Sequence, residues 1–523
     1  METLSSWQER KRKLEGERDD LVRRLEVVER DIKAQAGYGA IYNKDSPALT
    51  LPTEITCLIF REAHSAMEVT RKGDQIVAHL TEVAISHVCR QWRSAAIGLP
   101  ILWSSFYYHG PSATHATLNR FEIYLERSKL NPLELWLDFR QAVRDTGLHF
   151  AVLNTALMVV SRWRLVSIFS DGDSPQYTSR TSTRALVGLK LKELQAPCLE
   201  HLGLYPNLTF ETDEDLAVID SIGPHVFTEG APTLKSVRLD ASAPNTYLPP
   251  LSAVTTLRIE VGKSPTDVVM FSLDTLRAIL MLPNLENLSM FDTMCDSDIP
   301  LEDIPLIPME RLRHLRLSDN DPVFKLLRIV RAPLLESIIV QRASLLVEND
   351  DHSQLQYAPV YSFPSLTSLV LVDSTCDILC AARHITIIHG VSNVNDGILG
   401  KMRYHSPEHP IWPHLQTLVV DFRETLEIKH RLAVFLKSHQ HRDGDLTLRI
   451  SDTRAKAWKE VGHFQTLYAA AAELCTIEEV PEKELYDPKP WPPGGDGVRG
   501  RRVDLEADPF STNSKLGEFL LGP

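Results

Sequence analysis

Pro364-Ser365-Leu366-Thr367-Ser368-Leu369-Val370-Leu371 is the stretch on which the fold turns. Read as Pro-x-Leu-x-x-Leu-x-Leu, it ends in an alternation, Leu369-x-Leu371, that places two apolar side chains on one face of a short strand. The template recurs at Pro197-x-Leu199-x-x-Leu202-x-Leu204, Pro232-x-Leu234-x-x-Val237-x-Leu239, Pro283-x-Leu285-x-x-Leu288-x-Met290, Pro333-x-Leu335-x-x-Ile338-x-Val340 and Pro413-x-Leu415-x-x-Leu418-x-Val420. Val254-x-x-Leu257-x-Ile259 and Leu312-x-x-Leu315-x-Leu317 repeat it without the proline. Successive copies start 35, 20, 31, 27, 23, 31 and 49 residues apart, and the last gap has room for a degenerate repeat ending in Ile385-Thr386-Ile387. Chance would give on the order of one proline-containing match, not six. No strand of this kind buries its leucines alone, so the repeats must stack side by side into a parallel sheet. Upstream, Pro132-Leu-Glu-Leu135-Trp-Leu137 and Trp163-Arg-Leu165-Val-Ser-Ile168 read as strands that begin the sheet.

Template and spacing resemble leucine-rich repeats, whose period is about 20–29 residues, here with insertions. The resemblance covers residues 118–450 and implies an irregular α/β solenoid with a parallel sheet; with helices expected ahead of it, the chain as a whole is expected to be α+β. Asn207 and Asn320 stand where such repeats place an asparagine that bonds turn backbone. Side chains between the buried leucines then face the concave surface. Arg238, Arg258 and Arg316 align in the early half, and Ile339, Val370 and Val419 in the late half. With His314, the arginines form the candidate substrate-binding set, suited to a ligand with an acidic or phosphorylated part followed by an apolar part. The plainer alternative is single exposed arginines with no shared ligand.

The ends of the chain differ from this middle. Residues 2–36 hold nine Lys/Arg and nine Asp/Glu. Trp7, Leu14, Leu21 and Val28 fall at heptad position d, with Leu4, Lys11, Arg18, Leu25 and Ile32 at a. Residues 1–36 are therefore expected to be a charged helix, ended by Gly37-Tyr38-Gly39. It either pairs as a coiled coil that can dimerise the protein or lies alone as a solvated helix. Past Ile450 a helical cap is expected over 451–480, with a helix around Ala455–Leu474. Pro488-Lys-Pro490-Trp491-Pro492-Pro493-Gly494-Gly495 then punctuates a polar tail, 481–523, expected to stay mobile.

Between helix and repeats lies Leu51-Pro52-Thr-Glu-Ile55-Thr-Cys-Leu58-Ile59-Phe60, a short helix with Pro52 near its first turn and Ile55, Leu58 and Ile59 on one face. Ile85, Val88, Cys89, Trp92 and Ala96 recur at helical spacing opposite Arg90, Gln91 and Arg93, and Gly98-Leu99-Pro100 breaks that helix before Ile101-Leu102-Trp103. Three small helices with so little material have more apolar face than core. In order, Leu51-Pro-x-Glu-Ile-x-x-x-Ile-Phe60, Ile85-Ser-x-Val-Cys-Arg-x-Trp-Arg93 and Leu99-Pro-x-Leu-Trp103 resemble the F-box, particularly the form found in mushroom-type fungi. The domain is expected over 47–108, with the polar segment from Arg61 to Thr81 as a loop longer than in the compact motif. The resemblance implies docking on a Skp-family adaptor through Leu51, Pro52, Ile55, Ile59, Val88, Cys89 and Trp92. Inward packing of Ile59, Cys89 and Trp92 is the competing placement.

The 523 residues carry 56 Lys and Arg against 69 Asp and Glu, a net charge of −13. That balance disfavours nucleic acid and anionic membrane as partners. Apolar runs are far shorter than the roughly 20 residues that cross a bilayer. The opening Met1-Glu2-Thr3 leads into a charged stretch without a secretory pattern, and seven scattered cysteines suit reduced thiols, so cytoplasm or nucleus is expected. Asn207-Leu208-Thr209 reads as a chance sequon. Cys376, Cys380 and His384 would stack on a helix, but their spacing is not a structural zinc pattern. His405, His409 and His414 fit solvated loop residues. Asp213, Glu214 and Asp215 read as a charged surface. With no phosphate-binding loop and no nucleophile motif, neither a metal nor a cofactor is expected, nor an activity of the chain's own.

Together the resemblances imply a substrate-recognition subunit of an SCF-type ubiquitin ligase. The adaptor links it to cullin and RING subunits, the repeats hold a protein substrate, and catalysis is proximity to a conjugating enzyme. The alternative is a leucine-rich-repeat scaffold outside any ligase.

Overall fold

The structure, a computed structural model, describes residues 4–44, 51–65, 70–72, 75–77, 80–110, 113–139, 146–170, 190–205, 223–239, 247–260, 269–291, 293–296, 304–318, 326–327, 329–345, 363–372, 374–376, 382–388, 412, 414–421, 426–439, 446–460, 462–481 and 491–493. These fall into two compact units, 1–67 with 80–102, and 68–79 with 103–523. Helix and strand are mixed, with a long parallel sheet, in keeping with the expected α+β class.

The first unit holds α1 (Leu4–Lys44), α2 (Thr53–Ser65), α3 (Thr81–Val88) and α4 (Arg90–Ile97). The expected stop at Gly37 is not there: α1 runs through Gly37 and Gly39. A helical glycine costs about 1 kcal/mol relative to alanine, which a long, already nucleated helix containing Ala34, Ala36 and Ala40 tolerates. Residues 85–96, expected as one helix, form two. Cys89 is extended at φ −156° and ψ 172°, and its Sγ accepts from the Trp92 backbone N–H at 3.4 Å, capping α4. Within the polar segment expected as a loop, Thr70–Lys72 pairs antiparallel with Gln75–Val77; this hairpin belongs to the second unit.

That unit is built on one sheet of fourteen strands: β1 (Ser105–His109), β2 (Leu133–Asp138), β3 (Trp163–Phe169), β4 (His201–Tyr205), β5 (Ser236–Leu239), β6 (Thr256–Glu260), β7 (Asn287–Phe291), β8 (His314–Ser318), β9 (Ser337–Gln341), β10 (Ser368–Val372), β11 (His384–Ile388), β12 (Thr417–Asp421), β13 (Thr447–Ser451) and β14 (Thr476–Val480). They lie in chain order, each parallel to the next. All eight template copies supply strands, the degenerate one is β11, and the two upstream segments are β2 and β3. Two strands depart from expectation. β1 begins inside the 47–108 stretch assigned to helices and ends just past it, and β14 lies inside the 451–480 cap, whose helix is split into α9 (Asp452–Glu460) and α10 (Gly462–Leu474). Helices α5 (His115–Ser128), α6 (Thr146–Leu157), α7 (Leu273–Leu280) and α8 (Leu426–His439) occur in the crossovers.

The template has a backbone cause. The first leucine of each copy donates its N–H to the residue before the proline: Leu199 to Ala196 at 3.3 Å, Leu234 to Ala231 at 3.1 Å, Leu335 to Ala332 at 3.2 Å and Leu366 to Phe363 at 3.2 Å. Proline thus sits at the second position of a four-residue turn, where its fixed φ is already correct and its missing N–H is not needed. Immediately before each of β4–β11 one carbonyl accepts two N–H groups from the next repeat, as Glu286 does from Arg313 and His314 at 2.7 and 3.1 Å. This pins the register.

In that register Leu202, Val237, Leu257, Leu288, Leu315, Ile338, Leu369, Ile385, Leu418 and Leu448 form one buried row.

Candidate functional site

Two surfaces carry the residues read from the sequence. The first is the helical unit. On α2 the buried residues are Thr56, Phe60 and His64, and Trp92 of α4 packs edge-on against Phe60, ring centres 5.0 Å apart. Behind them His64 Nδ1 faces Glu82 Oε2 of α3 at 4.0 Å, both side chains buried. This inward set turns the other face of α2 outward: Ile55, Leu58 and Ile59 are 43, 45 and 49% exposed, with Pro52 exposed beside them. Val88, at the end of α3, is 59% exposed. Leu51, Cys89 and Trp92 are half-buried. Of the two placements open for the expected docking residues, Ile59 therefore points out, while Trp92 serves partly as the prop that holds α4 on α2. Exposed aliphatic groups in such number on so short a unit leave apolar area that a partner can cover.

The second surface is the sheet face opposite the leucine row. The expected alignment holds: Arg238 pairs with Arg258, Arg258 with Ser289, Ser289 with Arg316, Arg316 with Ile339, Ile339 with Val370, Val370 with Thr386 and Thr386 with Val419. Upstream the row continues through Gly203, Ser167, Trp136 and Tyr107. Trp136 and Tyr107 stack at 4.4 Å. Gly203 fits a tight place, since a Cβ there would stand 2.9 Å from Ser167 Oγ and 3.0 Å from the Tyr205 ring.

The arginines are not an open stripe, however. Arg238, Arg258 and Arg316 are 5, 4 and 1% exposed and His314 is 8%. Their common centre is Glu260, which the sequence reading passed over. Arg258 clamps it through Nε and Nη2 at 2.9 and 3.0 Å, Arg316 Nη2 reaches it at 2.6 Å, and Arg238 Nε lies 3.0 Å away. Ser289 Oγ donates to the same carboxylate at 2.7 Å and accepts from Arg316 Nε at 3.2 Å. Burial alone would raise the Glu260 pKa, but Arg258, Arg238 and Arg316 outweigh it and hold the carboxyl well below the usual range. His314 donates to or accepts from Ser337 at 2.8 Å, and burial pushes its pKa down, so it favours the neutral form.

Over the cluster lies Trp491. Its ring centre is 4.2 Å from the Arg316 guanidinium carbon and 5.8 Å from that of Arg258. Of the tail expected to be mobile, residues 491–493 are described, and Trp491 is only 7% exposed. A long aromatic in a Pro-Trp-Pro context was the available signal; read as punctuation, it was missed. Glu260 was legible too, two residues beyond Arg258 and hence on the same strand face.

Later in the sheet the same row opens. Ile339, Val370, Thr386 and Val419 are half-buried, beside Ser337, Ser368 and Thr417, with His384 exposed. His384 Nδ1 meets Thr417 Oγ1 at 3.2 Å. Cys376 ends a two-residue strand and His384 begins β11, so these residues do not share a helix. Cys380, His405, His409, Asn207, Asn320 and Asp213–Asp215 lie outside the described residues, and His414 is exposed in a turn. Among the described residues no group of three or more His, Cys, Asp or Glu is placed to hold a metal ion, and no helix is long and apolar enough to cross a membrane. No protein-family model matches the chain, and no curated protein matches it.

Proposed function

We propose that the chain is a substrate-recognition subunit of an SCF-type ubiquitin ligase, its small helical unit an F-box that docks a Skp-family adaptor and its sheet a run of irregular leucine-rich repeats that holds a protein substrate. The observation that carries this is the outward apolar face of Ile55, Leu58 and Ile59 on α2, with Phe60 of the same helix turned inward against Trp92, and Val88 exposed at the end of α3. A face of that chemistry on three short helices gains most by burial against a partner. Substrate then lies along the accessible part of the row, Ile339, Val370 and Val419, with the hydroxyls of Ser337, Ser368 and Thr417 as polar contacts.

Co-purification tests the reading. The full chain should bring down the adaptor and, through it, cullin and RING subunits, and the Ile59→Asp/Val88→Asp variant should bring down none of them. Adaptor without cullin would favour the scaffold reading; no adaptor at all would overturn the F-box assignment.

A further inference from the structure

Trp491 follows β14 in the chain but sits over β8, six strands back, a span of roughly 29 Å at about 4.8 Å per strand. Eleven residue steps from Val480 to Trp491 can reach about 36 Å, enough for that span. The seat it occupies is unusually well fixed. The N–H edges of Arg258 and Arg316 bond Glu260 and Ser289, which holds the guanidiniums in place and offers their flat faces to a ring. Cation–π attraction to such a face is strongest for indole. The fit is incomplete at one atom: Trp491 Nε1 is buried with no hydrogen-bond partner among the described residues. Because the seat holds the ring by its π face and not through its N–H, an indole presented by another chain meets the same contacts.

We propose that Arg258, Arg316 and Glu260 form a receptor for a proline-flanked tryptophan side chain, filled in cis by Trp491 and available in trans to a peptide of the same kind when Trp491 leaves. The seat lies in the same row as Ile339, Val370 and Val419, so cis occupancy closes the early half of that face and leaves the late half open. This inference stands independently of the adaptor reading.

The test is a fluorescein-labelled peptide of residues 486–497, titrated by anisotropy into the full-length chain and its variants. Trp491→Ala should bind the peptide at least tenfold more tightly than the unsubstituted chain, whose seat is filled. Trp491→Leu keeps an apolar side chain but loses the π face, so it should also bind at least tenfold more tightly, which covers the case in which the alanine variant fails to fold. Trp491→Phe should stay near the unsubstituted chain, and a peptide with alanine at position 491 should bind none of them. Equal binding to the unsubstituted and Trp491→Leu chains would overturn the proposal. So would absence of binding to a Trp491→Leu chain that melts as the unsubstituted one does.

Discussion

Glu260 is the residue on which the buried polar cluster depends. Replacing it with glutamine leaves three guanidiniums without the carboxylate that faces them, a change of the kind that costs about 3–5 kcal/mol when a buried ion pair is broken. Denaturant unfolding of Glu260→Gln should show a loss of that size. The pH dependence follows from the depressed pKa. A carboxyl whose folded pKa lies below its unfolded value of about 4.3 contributes stability that is fully present above that pH and is lost as pH falls through the folded pKa. The advantage over the variant should hold from pH 7 down to about 4.3 and shrink only below it; a decline already at pH 6 would contradict the arrangement. In the leucine row, Leu315→Ala should cost about 2–5 kcal/mol, because Leu315 is 2% exposed between Leu288 and Ile338.

At the scale of elements, the strands were legible and the helices less so. Pro-x-Leu-x-x-Leu-x-Leu encodes a turn and a strand within a few residues, and both parts rest on local physics: proline's fixed φ, then alternate burial. β14 escaped because Thr476-Ile-Glu-Glu-Val480 has little alternation; it is held by pairing with β13 at the end of the sheet, which is tertiary context. The break at Cys89 escaped because the apolar spacing from Ile85 to Ala96 is compatible with one helix, and the cap that divides it is a thiol, an uncommon N-cap. Helix α1 tests the remaining element. Trp7, Leu14, Leu21, Leu25, Val28 and Ile32 are all 53–63% exposed along it. If the heptads pair two copies, light scattering of the full chain should give a dimer mass, and Leu25→Glu/Ile32→Glu should give a monomer. A monomer before substitution would assign α1 to the solvated-helix alternative.

At the scale of the whole molecule, the sequence divides by what kind of information each part needs. The parallel sheet could be read because repetition is visible along one chain. The row of Arg238, Arg258 and Arg316 could be aligned for the same reason, but its burial could not be read from alignment, since it depends on three strands converging on Glu260 and on Trp491, which follows the last strand. The accessible part of the row is its late half, where Ile339, Val370 and Val419 lie. In the helical unit periodicity placed Ile55, Leu58 and Ile59 on one face, and which way that face turns came only with the packing of Phe60 against Trp92.

The most direct test of the central claim is titration calorimetry of the full-length chain with a purified Skp-family adaptor, set beside the Ile59→Asp/Val88→Asp variant. The account predicts saturable binding by the unsubstituted chain and a loss of at least thirtyfold in the variant, equivalent to about 2 kcal/mol at a buried contact, with unchanged melting of the variant. Equal affinity of the two chains, or no heat of binding from a folded unsubstituted chain, would contradict it.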